Sequence, residues 1–157
     1  MIEVLEQGGH GVPDLTDRPL PQVDNVSSTY WSGAAQGALL FQQCPACGHR
    51  QFYPRAMCTA CAADTEWKQA LGRGTVHTFT VIRQNMASPW DRLLPYVVAI
   101  VELEEGPRMM SNITHCDVDD VRVDMPVECY AVAVEDGLAI PFWRPVQSER
   151  TERGRSA

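Results

Sequence analysis

Two kinds of apolar segment are missing from this 157-residue sequence. No apolar run approaches the roughly 20 residues that a membrane-spanning helix requires. Residues 1–15 also lack the basic stretch followed by an apolar stretch that is typical of an export signal. We therefore expect a protein with no membrane segment that stays in the cytoplasm, where cysteines remain reduced.

Positive charge is also scarce. The chain has 13 Lys and Arg against 20 Asp and Glu, which gives a formal net charge of -7. Nucleic acids are bound mainly through clustered Lys and Arg, so this balance disfavours them as partners. The charge is uneven, because residues 41–92 are richer in arginine than residues 101–136. A small anionic ligand near the first half of the chain remains compatible with this distribution.

Residue pairs suited to nucleophilic catalysis are few. His115 and Cys116 are neighbours, and adjacent residues of a strand point to opposite faces. Cys129 lies in an alternating stretch that is typical of a core position. Asp119 and Asp120 have no neighbouring ligands that would support chelation, so we interpret them as a solvated turn. The sequence therefore predicts no catalytic activity of its own.

The cysteines are the most informative feature. Four of them form two Cys-x-x-Cys pairs separated by a short stretch: Cys44, Cys47, Cys58 and Cys61. Two such turns facing each other supply the four thiolates that tetrahedral zinc prefers, and four ligands close the shell of a structural site. Iron accepts the same ligands, so the sequence leaves iron open. Gly48 follows the first turn, where a positive φ is expected, and His49 is not needed as a ligand.

The segments before the cysteines differ from one another in composition. Residues 1–26 are rich in Gly, Pro and Asp, and the prolines prevent a helix. We predict an extended arm that is either disordered or laid over a partner. Ser27 or Ser28 is a suitable N-cap for a short helix with an aromatic face. The helix and the cysteine ribbon together form the predicted unit 27–71.

The remainder of the chain has the pattern of strands. The predicted strands are residues 75–82, 96–103, 109–114, 121–123, 127–134 and 138–143. A small barrel removes the exposed edges that a flat sheet would leave, and the OB-fold is the commonest barrel of this size. The predicted fold is thus mainly β: an N-terminal helix and a rubredoxin-like zinc ribbon, then an OB-fold over 72–146. Residues 147–157 form a polar tail that we predict to be disordered.

Several short motifs follow one another in a specific order between residues 28 and 145. Besides the cysteine pairs they are Tyr30-Trp31, Phe52-Tyr53-Pro54-Arg55, Gly72-Arg73-Gly74, Pro95-Tyr96 and Phe142-Trp143-Arg144-Pro145. This order resembles the acyl-CoA-associated zinc-ribbon/OB-fold family, long catalogued as a domain of unknown function. Asp124 stands where that family usually has Gly, so the turn before residues 125–127 is expected to differ.

The resemblance implies an accessory subunit without catalytic activity. Members of the family associate with thiolase-fold enzymes, namely condensing thiolases and the thiolase-like aldolases that shorten steroid side chains. They help to hold the CoA thioester, and some relatives are fused to a hydratase of the hot-dog type. The resemblance thus implies a structural zinc ion, an acyl-CoA shared with the partner, and an assembly of two subunits of each kind, in lipid or steroid degradation.

Candidate contacts for these partners follow from residue chemistry. Guanidinium groups match phosphate geometry, so the CoA candidates are Arg50, Arg55, Arg73, Arg83 and Arg92. The candidates for a protein interface are the apolar residues of a long loop, Trp90, Leu93 and Leu94. Two alternatives stay open: a nucleic-acid-binding module, since ribbons and OB barrels both serve that purpose, and an iron electron carrier.

Overall fold

A computed structural model describes residues 1–8, 12–134 and 137–146. It contains one α-helix, α1 (Ser28–Ala35), and a small three-stranded sheet. The strands of that sheet are β2 (Leu40–Gln43), β3 (Arg50–Gln51) and β4 (Glu66–Gln69). Both β3 and β4 pair with β2 in antiparallel register, so β2 is the central strand of the ribbon. The tail predicted over 147–157 lies outside the described residues.

Five strands form the barrel that the sequence predicts. They are β5 (Arg73–Ile82), β6 (Tyr96–Leu103), β7 (Arg108–Ile113), β8 (Pro126–Ala133) and β9 (Ala139–Pro145). The pairings run β5–β6, β6–β7, β7–β9, β9–β8 and β8–β5, which returns to the first strand. The ring is therefore closed, and closure pairs the edges that an open sheet would expose. The mainly β prediction of a ribbon followed by an OB-fold is confirmed.

One predicted strand has a different structure. Residues 121–123 belong to no strand; they follow a short 3-10 turn, Val118–Asp120, that leads back to the barrel. Of these three residues only Val121 is buried in the core, at 4% exposure. Asp124 then adopts φ 63°, the left-handed region that Gly enters freely and Asp more readily than most residues. The turn thus has a backbone path that either residue can follow.

The barrel interior explains the apolar run of β6. Val97, Ala99, Val101 and Leu103 are buried, whereas the residues between them are half-buried. Successive side chains of a strand point to opposite faces, so one face of β6 fills the barrel. At the ribbon junction Gly74 pairs with Leu103, and a Cβ on Gly74 would lie 2.4 Å from the carbonyl oxygen of Glu102. That close approach requires glycine.

The first residues pack on the outside of the barrel. A short strand, β1 (Glu3–Leu5), pairs in parallel with β8. Ile2 is 7% exposed, and Leu15 is 6% exposed in a small apolar cluster with Phe142. Arg144 forms ion pairs with Glu3 at 2.9 Å and with Glu128 at 2.8 Å. These contacts lay the arm against its own barrel, with Ile2 and Leu15 buried, although Met1 and Val23 stay exposed.

Helix α1 begins at the predicted place with a different hydrogen-bond arrangement. Ser27 occupies the N-cap position, but its hydroxyl group makes no bond to the N–H groups of the helix. Instead Ser27 Oγ donates to Asp24 Oδ1 at 2.6 Å, and the Ser27 N–H donates to the same oxygen at 2.7 Å. This turn fixes the direction in which the chain enters the helix.

Among the described residues, no helix is both long enough and apolar enough to cross a membrane.

Candidate functional site

The two cysteine turns have the same backbone hydrogen bonds. In the first, the Cys44 N–H donates to the carbonyl of His49 at 2.8 Å, and the Gly48 N–H donates to the carbonyl of Cys44 at 2.9 Å. In the second turn, the Cys58 N–H donates to the carbonyl of Ala63 at 2.8 Å, and the Ala62 N–H donates to the carbonyl of Cys58 at 2.9 Å. The positive φ expected at Gly48 is confirmed at 75°. Each turn presents its two sulfur atoms to a common centre.

The four sulfur atoms fit a tetrahedral ion. All four Sγ atoms lie within 4.8 Å of one another, with Cys44 and Cys61 at 3.6 Å and Cys47 and Cys58 at 3.7 Å. Sulfur ligands about 2.3 Å from a zinc ion define a tetrahedron whose edges measure about 3.8 Å. Cys44 and Cys58 are buried, and Cys47 and Cys61 are exposed. The residues therefore fit one four-thiolate metal site at the surface of the ribbon.

The environment of Cys58 favours a thiolate. Its burial raises the pKa, but backbone N–H donors from Ala60 and Cys61 and the neighbouring sulfur atoms outweigh burial and lower the pKa to about 7. The Ala60 N–H lies 3.4 Å from Cys58 Sγ. Because a cysteine must lose its proton to bind a metal, the N–H donors favour the binding form of Cys58, whereas neighbouring sulfur atoms and burial raise the pKa of Cys47 and Cys61.

Two buried glutamines hold the turns together, and sequence reasoning missed both. Gln51 Nε2 donates to Gln42 Oε1 at 2.9 Å and to the carbonyl of Met57 at 3.1 Å. Gln51 Oε1 accepts from the Thr59 N–H at 2.9 Å. Gln42 in turn bonds the backbone of Arg55 through both of its amide atoms. The only signal in the sequence is a polar residue in each of the two strands that flank the first cysteine turn.

His49 is not among the clustered ligands. Its Nε2 lies 3.1 Å from Thr59 Oγ1, and the four-residue cluster consists of cysteines alone. The exclusion of His49 as a ligand is consistent with this arrangement.

The five candidate CoA arginines lie in different parts of the surface. Arg50 and Arg55 line a polar groove of about 470 Å³ between the ribbon and the barrel, which we call the junction groove. Arg50 Nη1 also donates to the carbonyl of Glu105 at 2.8 Å. Arg83 pairs with Asp119, and Arg92 pairs with Asp17 at 3.3 Å. Arg73 lies near the start of β1, in another groove. The structure thus brings two of the five together.

The loop before β6 is less exposed than its sequence indicates. Trp90 and Leu93 lie on a 3-10 turn, Trp90–Leu93, and both are half-buried, as is Leu94. Tyr96 packs near the Trp90 ring, with 6.1 Å between the ring centroids. Met86 is the exposed apolar residue of this loop, at 91%.

The other thiols are poorly suited to nucleophilic chemistry. Burial raises the pKa of Cys129, which lies in the barrel core at 5% exposure. Burial also raises the pKa of Cys116, and the carboxylates of Asp120 and Asp117 add to that effect. A thiol with a raised pKa is a weak nucleophile at neutral pH because little thiolate is present.

An apolar cleft lies beside the ribbon, and no sequence pattern predicted it. Helix α1, the N-terminal arm, the segment after β3 and the barrel surround a volume of about 420 Å³. Its walls include Tyr30, Trp31, Phe52, Trp90 and Phe142. We call this volume the aromatic cleft.

Two models of known protein families together match most of the described chain. Residues 31–66 match the rubredoxin-like zinc ribbon domain of ChsH2, and residues 67–132 match the C-terminal OB-fold domain of ChsH2. A DUF35 domain-containing scaffold protein of Methanocaldococcus jannaschii is 35% identical over 102 residues, covering 63% of this chain and 72% of that protein.

Two longer relatives carry names of hydratase subunits. A probable enoyl-CoA hydratase alpha subunit of Thermomonospora curvata is 30% identical over 129 residues, which are 82% of this chain and 40% of that protein. The 3-oxo-4,17-pregnadiene-20-carboxyl-CoA hydratase alpha subunit of Mycobacterium tuberculosis is 29% identical over 133 residues, which are 85% of this chain and 41% of that protein. The chain therefore spans about two fifths of the length of these relatives.

A solved structure has the same arrangement of domains. A chain of the Ltp2-ChsH2(DUF35) aldolase superposes with a TM-score of 0.71 at 29% identity, covering 80% of this chain and 98% of that one. The ribbon and the barrel described above are thus found together in a protein of an aldolase assembly.

Proposed function

Because this chain belongs to the DUF35 family, with the zinc-ribbon and OB-fold domains of ChsH2, we propose that it is an accessory subunit of a thiolase-fold enzyme that acts on an acyl-CoA. The observation that carries this proposal is the likeness to the DUF35 chain of the Ltp2-ChsH2 aldolase, which this chain covers almost completely. The hydratase alpha-subunit names of two relatives support an acyl-CoA of the lipid or steroid class.

The chemistry of the metal site fits an accessory role without catalysis. A four-thiolate shell leaves no open position for a substrate, so the metal holds the ribbon in shape. We propose zinc as that metal. The remaining thiols that the structure describes have raised pKa values and lie outside any candidate active site. The reacting groups would then come from the partner subunit.

The junction groove is our proposed contact for CoA. Arg50 and Arg55 lie there beside Arg108, and all three line the same polar groove. Arg108 pairs with Glu102 at 2.6 Å, whereas Arg50 and Arg55 have no carboxylate partner among the described residues. Two unpaired guanidinium groups in one groove suit the phosphates of CoA better than Arg83 and Arg92, which each pair with an aspartate. Two copies on a thiolase-fold dimer are the proposed stoichiometry, because a two-fold enzyme offers the same surface twice.

The charge of the chain argues against the nucleic-acid alternative. A single-strand-binding barrel needs a basic groove with aromatic platforms, whereas the aromatic cleft has one arginine, Arg18, in its wall. The formal net charge of -7 adds a repulsive field around a polyanion.

Affinity purification of the tagged chain from its native host, with nuclease present, tests this proposal directly. We expect a thiolase-fold protein in near-stoichiometric amount, and acyl-CoA turnover by the complex but not by the isolated chain. Turnover by the isolated chain in a clean preparation would contradict the accessory role. Recovery of nucleic-acid-associated proteins alone would contradict the choice of partner.

A further inference from the structure

The aromatic cleft has the size and lining of a small-molecule site. Its volume of about 420 Å³ falls within the roughly 300–1,000 Å³ that is usual for ligand pockets. Four separate parts of the chain meet there: the arm, α1, the segment after β3 and the barrel. Apolar walls with few polar groups are what such pockets share.

Arg18 is an unpaired cation in the wall of this cleft. Its guanidinium group lies 4.9 Å from the centroid of the Trp90 ring, and its Nε atom is buried without a hydrogen-bond partner. Within the described part of the chain Arg18 forms no ion pair, unlike Arg83, Arg92 and Arg144. Desolvation lowers the pKa of Arg18, only partly offset by the charge of Asp14. A partly desolvated cation is stabilised by an anion that approaches it in the apolar cleft.

Trp31 contributes apolar area to the wall of the cleft. It is 8% exposed, and its indole Nε1 has almost no accessible surface, so a ligand in the open cleft does not reach that atom. The wall therefore combines a large apolar area with one guanidinium group, that of Arg18, which forms no ion pair among the described residues.

We propose that the aromatic cleft binds an amphipathic anion, whose apolar chain or ring packs against the aromatic walls while its carboxylate, sulfonate or phosphate group pairs with Arg18. The site lies apart from the metal centre, and its binding requires no partner enzyme. The same chemistry is offered by a free long-chain acid and by a CoA thioester; in the second case the phosphates pair with Arg18 instead of with the arginines of the junction groove.

Calorimetric titration of the full-length, zinc-loaded chain tests the proposal. The probes are dodecanoate and dodecanoyl-CoA, each below its micellar concentration, and uncharged dodecan-1-ol below its solubility limit. Pairing with a partly buried guanidinium group predicts that dodecanoate binds about tenfold or more tightly than dodecan-1-ol. Tighter binding of dodecanoate than of dodecanoyl-CoA identifies a free acid as the ligand; the opposite order identifies the thioester.

Arg18→Met separates the charge from the apolar packing. This variant should lose roughly tenfold in affinity for dodecanoate and none for dodecan-1-ol, because it removes the ion pair alone. Arg122→Met is the matched control, since Arg122 is an exposed arginine outside the cleft lining, and it should bind as the native chain does. Equal dodecanoate affinity in the native chain and Arg18→Met would overturn the proposal, as would the absence of saturable binding of both anionic probes.

Thermal melting of Arg18→Met and Arg122→Met identifies any loss of affinity that comes from unfolding.

Discussion

Gly48 and Ala62 occupy equivalent positions in the two cysteine turns. Each donates its N–H to the carbonyl of the cysteine four residues earlier, at 2.9 Å, and each has a positive φ, 75° for Gly48 and 61° for Ala62. Glycine enters this region without steric cost, whereas the Cβ of alanine crowds the following carbonyl oxygen. The second turn therefore keeps a strain that the first turn avoids.

Ala62→Gly should stabilise the ribbon. Relief of the left-handed strain, less the greater chain entropy of glycine, predicts a gain of roughly 0.5–1 kcal/mol in the free energy of unfolding. Gly48→Ala is the reciprocal variant and should cost about 1 kcal/mol. Denaturant titration at fixed zinc concentration measures both; a loss of stability in Ala62→Gly would contradict the equivalence of the two turns.

Cys44→Ser should release the metal and abolish association with the partner. A hydroxyl group is a poor replacement for a thiolate ligand, and metal binding supplies much of the folding free energy of a small ribbon. Metal analysis of the purified chain should change from about one zinc ion per chain to almost none. Cys116→Ser removes a cysteine outside the cluster and should keep its zinc. Full metal content and an unchanged melting curve in Cys44→Ser would contradict the assignment.

Gln51→Leu should destabilise the ribbon while all four thiolates remain. The change keeps a similar shape but leaves the Thr59 N–H and the Met57 carbonyl without their partner. Buried groups without partners predict a loss of roughly 2–3 kcal/mol and weaker retention of zinc against a chelator. Gln69→Leu, at an exposed position of β4, serves as the control. Equal chelator resistance in the native chain and Gln51→Leu would show that the glutamine pair does not support the site.

Replacing Trp90 and Leu93 together by alanine should weaken binding to the enzyme partner. Both residues are half-buried and lie on one short turn, beside the exposed Met86. Interface anchors of this kind each contribute on the order of 1–2 kcal/mol, so the double variant should lose at least tenfold in affinity by calorimetry. Leu71→Ala removes an apolar side chain that is 66% exposed elsewhere and should have no effect. Unchanged affinity in a folded double variant would exclude this loop from the interface.

The local features of this protein could be read from its sequence. The spacing of Cys44, Cys47, Cys58 and Cys61 predicts a common centre because each pair lies within one tight turn. Runs of β-branched and aromatic residues predicted β5, β6 and β8, since a strand half-buried in a barrel needs that alternation. The short run 121–123 was the exception, because only Val121 reaches the core.

Features made of distant residues were decided by the tertiary structure alone. Arg18, Trp31 and Trp90 meet in one cleft although no sequence period connects them, and the pairing of Gln42 with Gln51 depends on the register of β2 and β3. The sequence by itself determined the clustering of the four cysteines, most of the strands and the excess of negative charge, because these depend on residue type and spacing. Barrel closure and the docking of the arm decided which side chains face one another across a cleft, since contacts of long sequence separation exist only once the chain has packed.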